Sequence, residues 1–217
     1  WKKMQEFYSF YGAEYSTVEL KKAYFRICNE EEIKIKEYDY PEIKVEYVFE
    51  KLFMEKGIKV ELNTCIIVGQ FFRIISTKYI KLYDGVIELL EYLKEKNKKI
   101  YLLSNAQQIF TEYEMKHLDI YKYFDGIVFS SDESCRKPSL DFYNIVIERY
   151  KLKKSESIMI GNDWITDIEG SKNAGIDSIY IHTNISPRDT IIENVQANYV
   201  ISDGNISRMR KIIEKIS

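Results

Sequence analysis

The sequence has few cysteines, no long apolar run and almost no net charge, and each of these features excludes a class of protein. Cys28, Cys65 and Cys135 are odd in number and far apart, with no C-x-x-C pair. A disulfide framework and a cysteine zinc site are therefore not expected, and a reducing cytoplasm is the predicted environment. The most apolar stretch, residues 65–75, is broken by glycine, glutamine and arginine, so no membrane span is expected. A net charge of −2 offers no basic surface for nucleic acid.

The composition favours a small folded protein. Its 217 residues are 45% hydrophobic and 30% charged, which suits one globular domain, with or without a second small lobe. The apolar pattern differs between the two parts of the chain, and the boundary between them is predicted near residues 78–85. We expect a monomer or a homodimer.

The first part, residues 1–80, is predicted to be a helical bundle. One segment follows the i, i+3, i+4, i+7, i+8 spacing of an amphipathic helix closely. Its apolar residues are Val45, Val48, Phe49, Leu52 and Phe53. Residues 62–75 are apolar on nearly all sides, so they are predicted to form a helix buried within the bundle.

The second part, residues 81–217, alternates short apolar strands with amphipathic helices. The predicted strands are residues 100–103, 127–129, 158–160, 178–181 and 199–201. Asp84 and Ser139 are each predicted to cap a helix, and residues 165–174 are predicted to form another. The helix after Ser139 has its predicted apolar face at Phe142, Ile145, Val146 and Tyr150. Regular alternation of strands and helices favours a parallel sheet covered by helices on both faces. The predicted fold class is therefore α/β, with a helical bundle at the N-terminal side.

Polar side chains follow three of these strands, where open α/β sheets place their ligands. Ser104 and Asn105 come directly after the first strand, and a hydroxyl, an amide and a helix start together suit an anion. Lys137, held before Pro138, could neutralise carboxylates and a bound phosphate. Asp163 and Asp167 follow the third strand, and two carboxylates there suit a divalent metal ion.

Each of these residues also has a simpler explanation. Ser104 and Asn105 could cap the following helix, as Ser and Asn often do. Asp163 could cap the next helix, with Asp167 favouring its first turn, and Lys137 could be a solvated lysine of a loop. Their joint order, one polar group after each of three strands at one sheet edge, favours the functional interpretation.

In this order the residues resemble the motifs of the haloacid dehalogenase superfamily, whose members are mostly phosphatases. Residues 102–105 are similar to the second motif, where a Ser or Thr hydroxyl holds the transferring phosphoryl group. Residues 136–139 are similar to the third motif with its lysine, and residues 161–167 to the fourth, which supplies acids to Mg²⁺. The helical first part is similar in kind to the helical cap of the family.

The resemblance implies an architecture and a set of site residues. It implies a Rossmann-like core over residues 81–217 with a helical cap over residues 1–80. Ser104 and Lys137 would be catalytic, and with Asn105 they would bind substrate. Asp163 and Asp167 would bind Mg²⁺. The implied activity is a Mg²⁺-dependent phosphatase that acts on a small phosphorylated metabolite through an aspartyl-phosphate.

One element of the family pattern is missing from the sequence. The nucleophile should be the first Asp of an Asp-x-Asp after an apolar strand, and no such pair occurs. In the family that strand lies mid-sheet, between the strands that end here at Ser104 and Gly161. Because the sequence begins with Trp1, we expect the natural chain to start about 15–25 residues earlier, a length that one strand and one loop need. The 217 residues alone are predicted to bind Mg²⁺ very weakly and to be inactive.

Three alternatives stay open on the sequence. Asn162 rather than Asp163 could occupy the position of the first metal ligand, although we favour Asp163. Asn162 beside Trp164 also gives some support to a 2-haloacid dehalogenase, whose members are similar in fold but need no metal. A non-catalytic relative that kept the fold for binding or regulation is the third possibility.

Overall fold

The structure is a computed structural model that describes residues 1–216. The first four helices form a helical half, and the remaining elements form an α/β half. Residues 77–85 connect the two halves without helix or strand. None of the helices in residues 1–216 combines the length and the apolar character that crossing a bilayer requires.

The helical half follows the apolar pattern of the sequence. Its helices are α1 Lys2–Phe10, α2 Thr17–Lys34, α3 Val45–Met54 and α4 Leu62–Ser76. Helix α2 begins with a capping box, in which the Ser16 side chain and the Glu19 side chain each bond the backbone of the other residue. The predicted apolar face of α3 is confirmed, since Val48, Phe49, Leu52 and Phe53 are at most 1% exposed.

The helix predicted over residues 62–75 forms, but the prediction that it is buried within the bundle is wrong. Helix α4 buries only Cys65, Val68 and Gly69. Ile67 and Ile74 are 49% and 71% exposed. Helix α4 contacts α3 and α6 along one face, and its close contact with α6 requires Gly69. Leu62, Ile67, Ile74 and Ile75 are exposed, whereas Ile66, Phe71 and Phe72 are partly buried against the core of the helical half.

The α/β half contains the predicted alternation of strands and helices. In chain order its elements are α5 Val86–Glu95, β1 Tyr101–Ser104, α6 Gln108–His117, β2 Gly126–Phe129, α7 Ser130–Glu133, α8 Leu140–Arg149, β3 Ile158–Gly161, a π-helix Trp164–Glu169, α9 Gly170–Ala174, β4 Asp177–Ile181, β5 Tyr199–Ile201 and α10 Ser207–Ile216. Single 3₁₀ turns occur at Tyr121–Tyr123, Lys154–Glu156 and Ile192–Asn194. All strand pairs are parallel, so the predicted α/β fold class is confirmed.

Helix α5 begins differently from the sequence prediction. The side chain of Asp84, expected to cap the helix, is 98% exposed and lies 3.6 Å from the Lys81 ammonium. Gly85 occupies the capping position instead, with a φ of 88° that glycine adopts without strain. Ser139 does cap α8 as predicted, because its hydroxyl accepts a hydrogen bond from the Asp141 amide.

The strands form two separate parallel sheets. Strand β1 pairs with β2, and β3, β4 and β5 form the second sheet. Within residues 1–216, β1 and β3 therefore each keep one edge without a strand partner. Helix α8 packs against both sheets, since Tyr143 and Ile147 cluster with Leu103 of β1 and Met159 of β3. Two unpaired strand edges thus flank one helix.

Candidate active site

A buried ion pair joins two of the predicted site residues. The Lys137 ammonium lies 2.6 Å from Oδ1 of Asp167, and their side chains are 9% and 8% exposed. Lys137 comes from the segment before α8, and Asp167 from the π-helix after β3. Removing two charges from water is costly unless they are paired and hydrogen-bonded. The fold therefore brings the segment before α8 and the π-helix after β3 together through this lysine and this carboxylate.

Backbone donors also hold the Asp167 carboxylate. Its Oδ2 accepts hydrogen bonds from the amides of Asn162 and Asp163, each at 3.0 Å. Gly161 makes this close packing possible, because a Cβ there would lie 2.3 Å from the Asp167 side chain. Because Oδ1 accepts from the Lys137 ammonium, both carboxylate oxygens of Asp167 already have partners. This favours a role in orienting Lys137 over the predicted role as a metal ligand.

Asp163 caps the π-helix, as the simpler sequence interpretation allowed. Its Oδ1 accepts hydrogen bonds from the Ile165 and Thr166 amides, both at 2.9 Å. The sequence predicted an α-helix over residues 165–174, but its first part, Trp164–Glu169, is a π-helix. Oδ2 of Asp163 accepts no hydrogen bond from another described residue, so one carboxylate oxygen stays available.

Tyr143 holds residues 161–167, which we call the acidic loop, and no motif in the sequence marks this tyrosine. Its hydroxyl donates to the carbonyl oxygens of Thr166 and Asp167, at 2.8 and 3.0 Å. Burial, and then the nearby carboxylates of Asp167 and Asp163, raise the pKa of Tyr143 well above its usual range. Gly170 lets the ring approach the π-helix closely. Tyr143 lies beside, not on, the apolar face predicted for α8, which explains why periodicity missed it.

The Asn105 side chain is used to hold the backbone of Lys137. Its amide nitrogen donates to the Lys137 carbonyl at 2.9 Å, and its amide oxygen accepts from the Lys137 N–H at 2.7 Å. This pair of bonds fixes the loop that carries Lys137 to the end of β1. It favours a positioning role for Asn105 over direct substrate binding.

Ser104 ends β1 next to Asn105, and its hydroxyl bonds to no other described residue. The residue as a whole is half-buried. A polar group that the fold orders but leaves without a partner is available to a ligand. Ser104 therefore fits the predicted role of a donor to an anion at the carboxyl end of β1.

The oxygen donors in the acidic loop fit one part of a Mg²⁺ site. Oδ2 of Asp163 and the side-chain oxygen of Asn162 are hard ligands without protein partners among residues 1–216. No group of three or more His, Cys, Asp or Glu side chains in that range could enclose a metal. Mg²⁺ usually keeps several waters and takes one or two carboxylates plus substrate phosphate. The loop can thus contribute one or two ligands, with others coming from elsewhere.

The chain is similar in sequence to known hydrolases. A sequence model of the haloacid dehalogenase-like hydrolase family matches residues 16–181. The "Phosphorylated carbohydrates phosphatase" of Thermotoga maritima is 32% identical over 106 residues, 49% of this chain and 49% of its own length. The "Glyceraldehyde 3-phosphate phosphatase" of Methanothermobacter thermautotrophicus is 29% identical over 123 residues, 56% of this chain and 54% of its own. The chain spans about half the length of the curated relatives it matches.

A solved structure shares the fold over nearly the whole chain. It is the putative hydrolase YfnB of Bacillus subtilis bound to magnesium, with a TM-score of 0.60 and 18% sequence identity. The similarity covers 98% of this chain and 88% of that one. At this identity the likeness concerns the fold.

Proposed function

The chain belongs to the haloacid dehalogenase-like hydrolase family, and from this premise we propose that it forms the phosphate-holding part of a Mg²⁺-dependent phosphatase. The observation that carries the proposal is the buried Lys137–Asp167 pair at 2.6 Å, held to the end of β1 through Asn105. A lysine that is ordered, nearly buried and held to Asn105, the residue after Ser104, suits a phosphoryl group better than a solvated loop lysine does.

Two residues contact the phosphoryl group in this proposal. The Ser104 hydroxyl donates a hydrogen bond to one of its oxygens, and the Lys137 ammonium neutralises negative charge on the others. Fixed donors and cations of this kind provide most of the catalysis of phosphoryl transfer. Asp167 and Asn105 hold Lys137 in place, and they contact the substrate only through it.

The nucleophile is an aspartate on a strand that inserts between β1 and β3. The unpaired edges of these two strands, both packed against α8, support this part of the proposal. An inserted strand would satisfy backbone groups on both sides, and it would bring its carboxyl end to the same edge of the sheet as Ser104. Its first Asp would attack phosphorus while the P–O ester bond breaks, and the alcohol would leave with a proton from the second Asp. Water, with the second Asp as base, would then hydrolyse the aspartyl-phosphate to orthophosphate and the free Asp.

Asp163 is the residue of this chain that we assign to Mg²⁺, through its free Oδ2. When bound, the ion neutralises charge on the phosphoryl oxygens. The side-chain oxygen of Asn162 is the second candidate ligand. Asp167 stays a predicted ligand from the sequence, but its existing hydrogen bonds do not favour that role.

We assign the helical half, residues 1–80, to a cap over the α/β core of residues 81–217. The substrate class is a small phosphorylated metabolite. The names of the two curated relatives, a phosphatase of phosphorylated carbohydrates and one of glyceraldehyde 3-phosphate, support it. The three cysteines are free, as is usual in a reducing cytoplasm, which we propose as the compartment.

Hydrolysis by the natural full-length protein tests the proposal. Orthophosphate release from p-nitrophenyl phosphate and from small sugar phosphates should require Mg²⁺ and stop with EDTA. Lys137→Ala and Ser104→Ala should each lower kcat by about 10²–10³-fold, the usual cost of one charge-stabilising donor. Lys153→Ala, which removes a lysine that is 73% exposed, is the matched control and should keep full activity.

Other outcomes would overturn the proposal in different ways. Chloride release from a 2-haloacid that EDTA does not affect would identify a dehalogenase. Folded protein without either activity would favour a binding or regulatory role. A Lys137→Ala variant as active as wild type would contradict the site assignment itself.

A further inference from the structure

The helical half is attached to the loop that carries Lys137. Residues 35–44, which we call the clamp segment, connect α2 to α3 and lie along residues 130–136. The Arg136 amide donates to the Tyr40 carbonyl at 2.9 Å, and the Glu42 amide donates to the Ser134 carbonyl at 3.0 Å. Pro41 and Cys135 form an antiparallel bridge between these two bonds. The contact therefore has the geometry of a short β-ladder and is not a loose surface contact.

Ion pairs and apolar packing strengthen this contact. Arg136 lies 2.8 Å from Glu32 at the end of α2, and Lys44 lies 3.1 Å from Asp132. Tyr38 packs against the core cluster that contains Cys135. The residue immediately before Lys137 is thus held through both its backbone and its side chain by the helical half.

Glu42 extends the contact to the end of β1. Its Oε2 accepts the Ser130 hydroxyl proton at 3.0 Å, and its Oε1 accepts from the Gln107 side chain at 3.2 Å. Ser130 Oγ in turn accepts a hydrogen bond from the Ala106 amide at 2.9 Å. The Ser130 hydroxyl has one proton, and it donates this proton to Glu42. A lone pair of the same oxygen therefore accepts the hydrogen bond from the Ala106 amide. This chain of bonds ends two residues from Ser104.

We propose that Glu42 is a positioning residue, through which the helical half sets the geometry of Ser104 and Lys137. This inference rests on the proposed function, because the loops after β1 and before α8 matter for activity only if Ser104 and Lys137 bind the phosphoryl group. The clamp segment holds the loop after β1 through Glu42 and Ser130, and it holds the loop before α8 through Arg136. A displacement of the helical half therefore changes the distance between the serine hydroxyl and the lysine ammonium.

Hydrogen exchange tests the structural part of this inference without any assay of activity. In the natural full-length protein, Glu42→Ala should speed exchange of the Ala106 and Arg136 amides by about tenfold, the loss expected for a hydrogen bond to a charged group. Glu42→Gln keeps an acceptor for Ser130 and should give a smaller increase. The matched control is Glu133→Ala, because Glu133 bonds Arg149 within the α/β half. Equal exchange in wild type and Glu42→Ala, or equal acceleration by Glu133→Ala, would overturn the inference.

Kinetics then separate positioning from simple stabilisation. Glu42→Ala should lower kcat for p-nitrophenyl phosphate about tenfold with KM changed less than twofold, and Glu42→Gln should recover part of kcat. Faster exchange with unchanged kcat would contradict the positioning role. If the wild-type protein hydrolyses nothing, the proposed phosphatase function fails, while the exchange result still decides whether Glu42 couples the two halves.

Discussion

Loss of the Asp167 carboxylate should destabilise the protein strongly, because Lys137 is buried with it. In Asp167→Asn the Lys137 ammonium, on a side chain that is 9% exposed, keeps its charge without a counter-ion. Breaking a buried pair by removing one partner costs about 3–5 kcal/mol. The total stability of a domain is about 5–15 kcal/mol, so the variant should fold but unfold at markedly lower urea concentration.

A double-mutant cycle isolates the pair from other effects of the substitution. Lys137→Met alone leaves Asp167 with the two amide donors of Asn162 and Asp163, so it should cost less than Asp167→Asn. The double variant removes the unpaired charge, and we expect a coupling energy of about 2–3 kcal/mol. Urea unfolding of the full-length natural protein, followed by circular dichroism, measures all four free energies.

The control for this cycle is an exposed ion pair. Lys153 and Glu156 are 73% and 67% exposed at 3.0 Å, so Glu156→Gln should change the free energy of unfolding by less than about 0.5 kcal/mol. A cost below about 1 kcal/mol for Asp167→Asn, or additive costs in the double variant, would refute the reasoning that the buried pair organises the site.

Three further predictions concern the surroundings of this pair. Gly161→Ala places a Cβ 2.3 Å from the Asp167 side chain, so it should lower kcat about 10²-fold, and activity as high as wild type would contradict the packing described. Tyr143→Phe removes the hydroxyl that donates to the Thr166 and Asp167 carbonyls and should cost about 0.5–1.5 kcal/mol in urea unfolding, whereas no cost would show that water replaces the hydroxyl. Burial alone would raise the pKa of Asp125, but its bonds to Lys94, the Ile100 amide and Lys99 lower it overall. The ionised Asp125 therefore stabilises the fold above about pH 4, and this stabilisation is lost as the pH falls below the usual pKa of Asp. The free energy of unfolding of Asp125→Asn should depend less on pH in the acid range than that of the wild type.

The sequence predicted the elements of the fold well because periodicity and strand length are local signals. The apolar faces of α3 and α8 and all five strands lie where the pattern places them. The burial of α4 was not predictable in the same way. Its apolar residues surround the helix, and only the arrangement of α3 and α6 decides which face is covered.

The site was predictable in its members but not in its contacts. Ser104, Lys137 and Asp163 could be named because each comes after one of three apolar strands that the sequence predicts. The use of Asn105 on the Lys137 backbone, and of Asp167 on Lys137, depends on how two loops meet across the fold. No spacing in the sequence encodes that meeting.

The contacts of Glu42 also could not be predicted from the sequence. It lies 88 residues before Ser130 in the chain, in a segment without helix or strand and without a motif. A glutamate in such a segment is usually solvated, and the sequence contains many of them. Only the packing of the clamp segment against residues 130–136 distinguishes it.

The central claim is that these 217 residues hold the phosphoryl group while an aspartate on an added strand attacks it. Acid quenching of the natural full-length protein during turnover, followed by peptide mapping, locates the covalently bound phosphoryl group. We expect an acyl phosphate on an aspartate outside Trp1–Ser217, which Lys137→Ala forms more slowly. A phosphoryl group on any residue of this chain, Ser104 included, would contradict it.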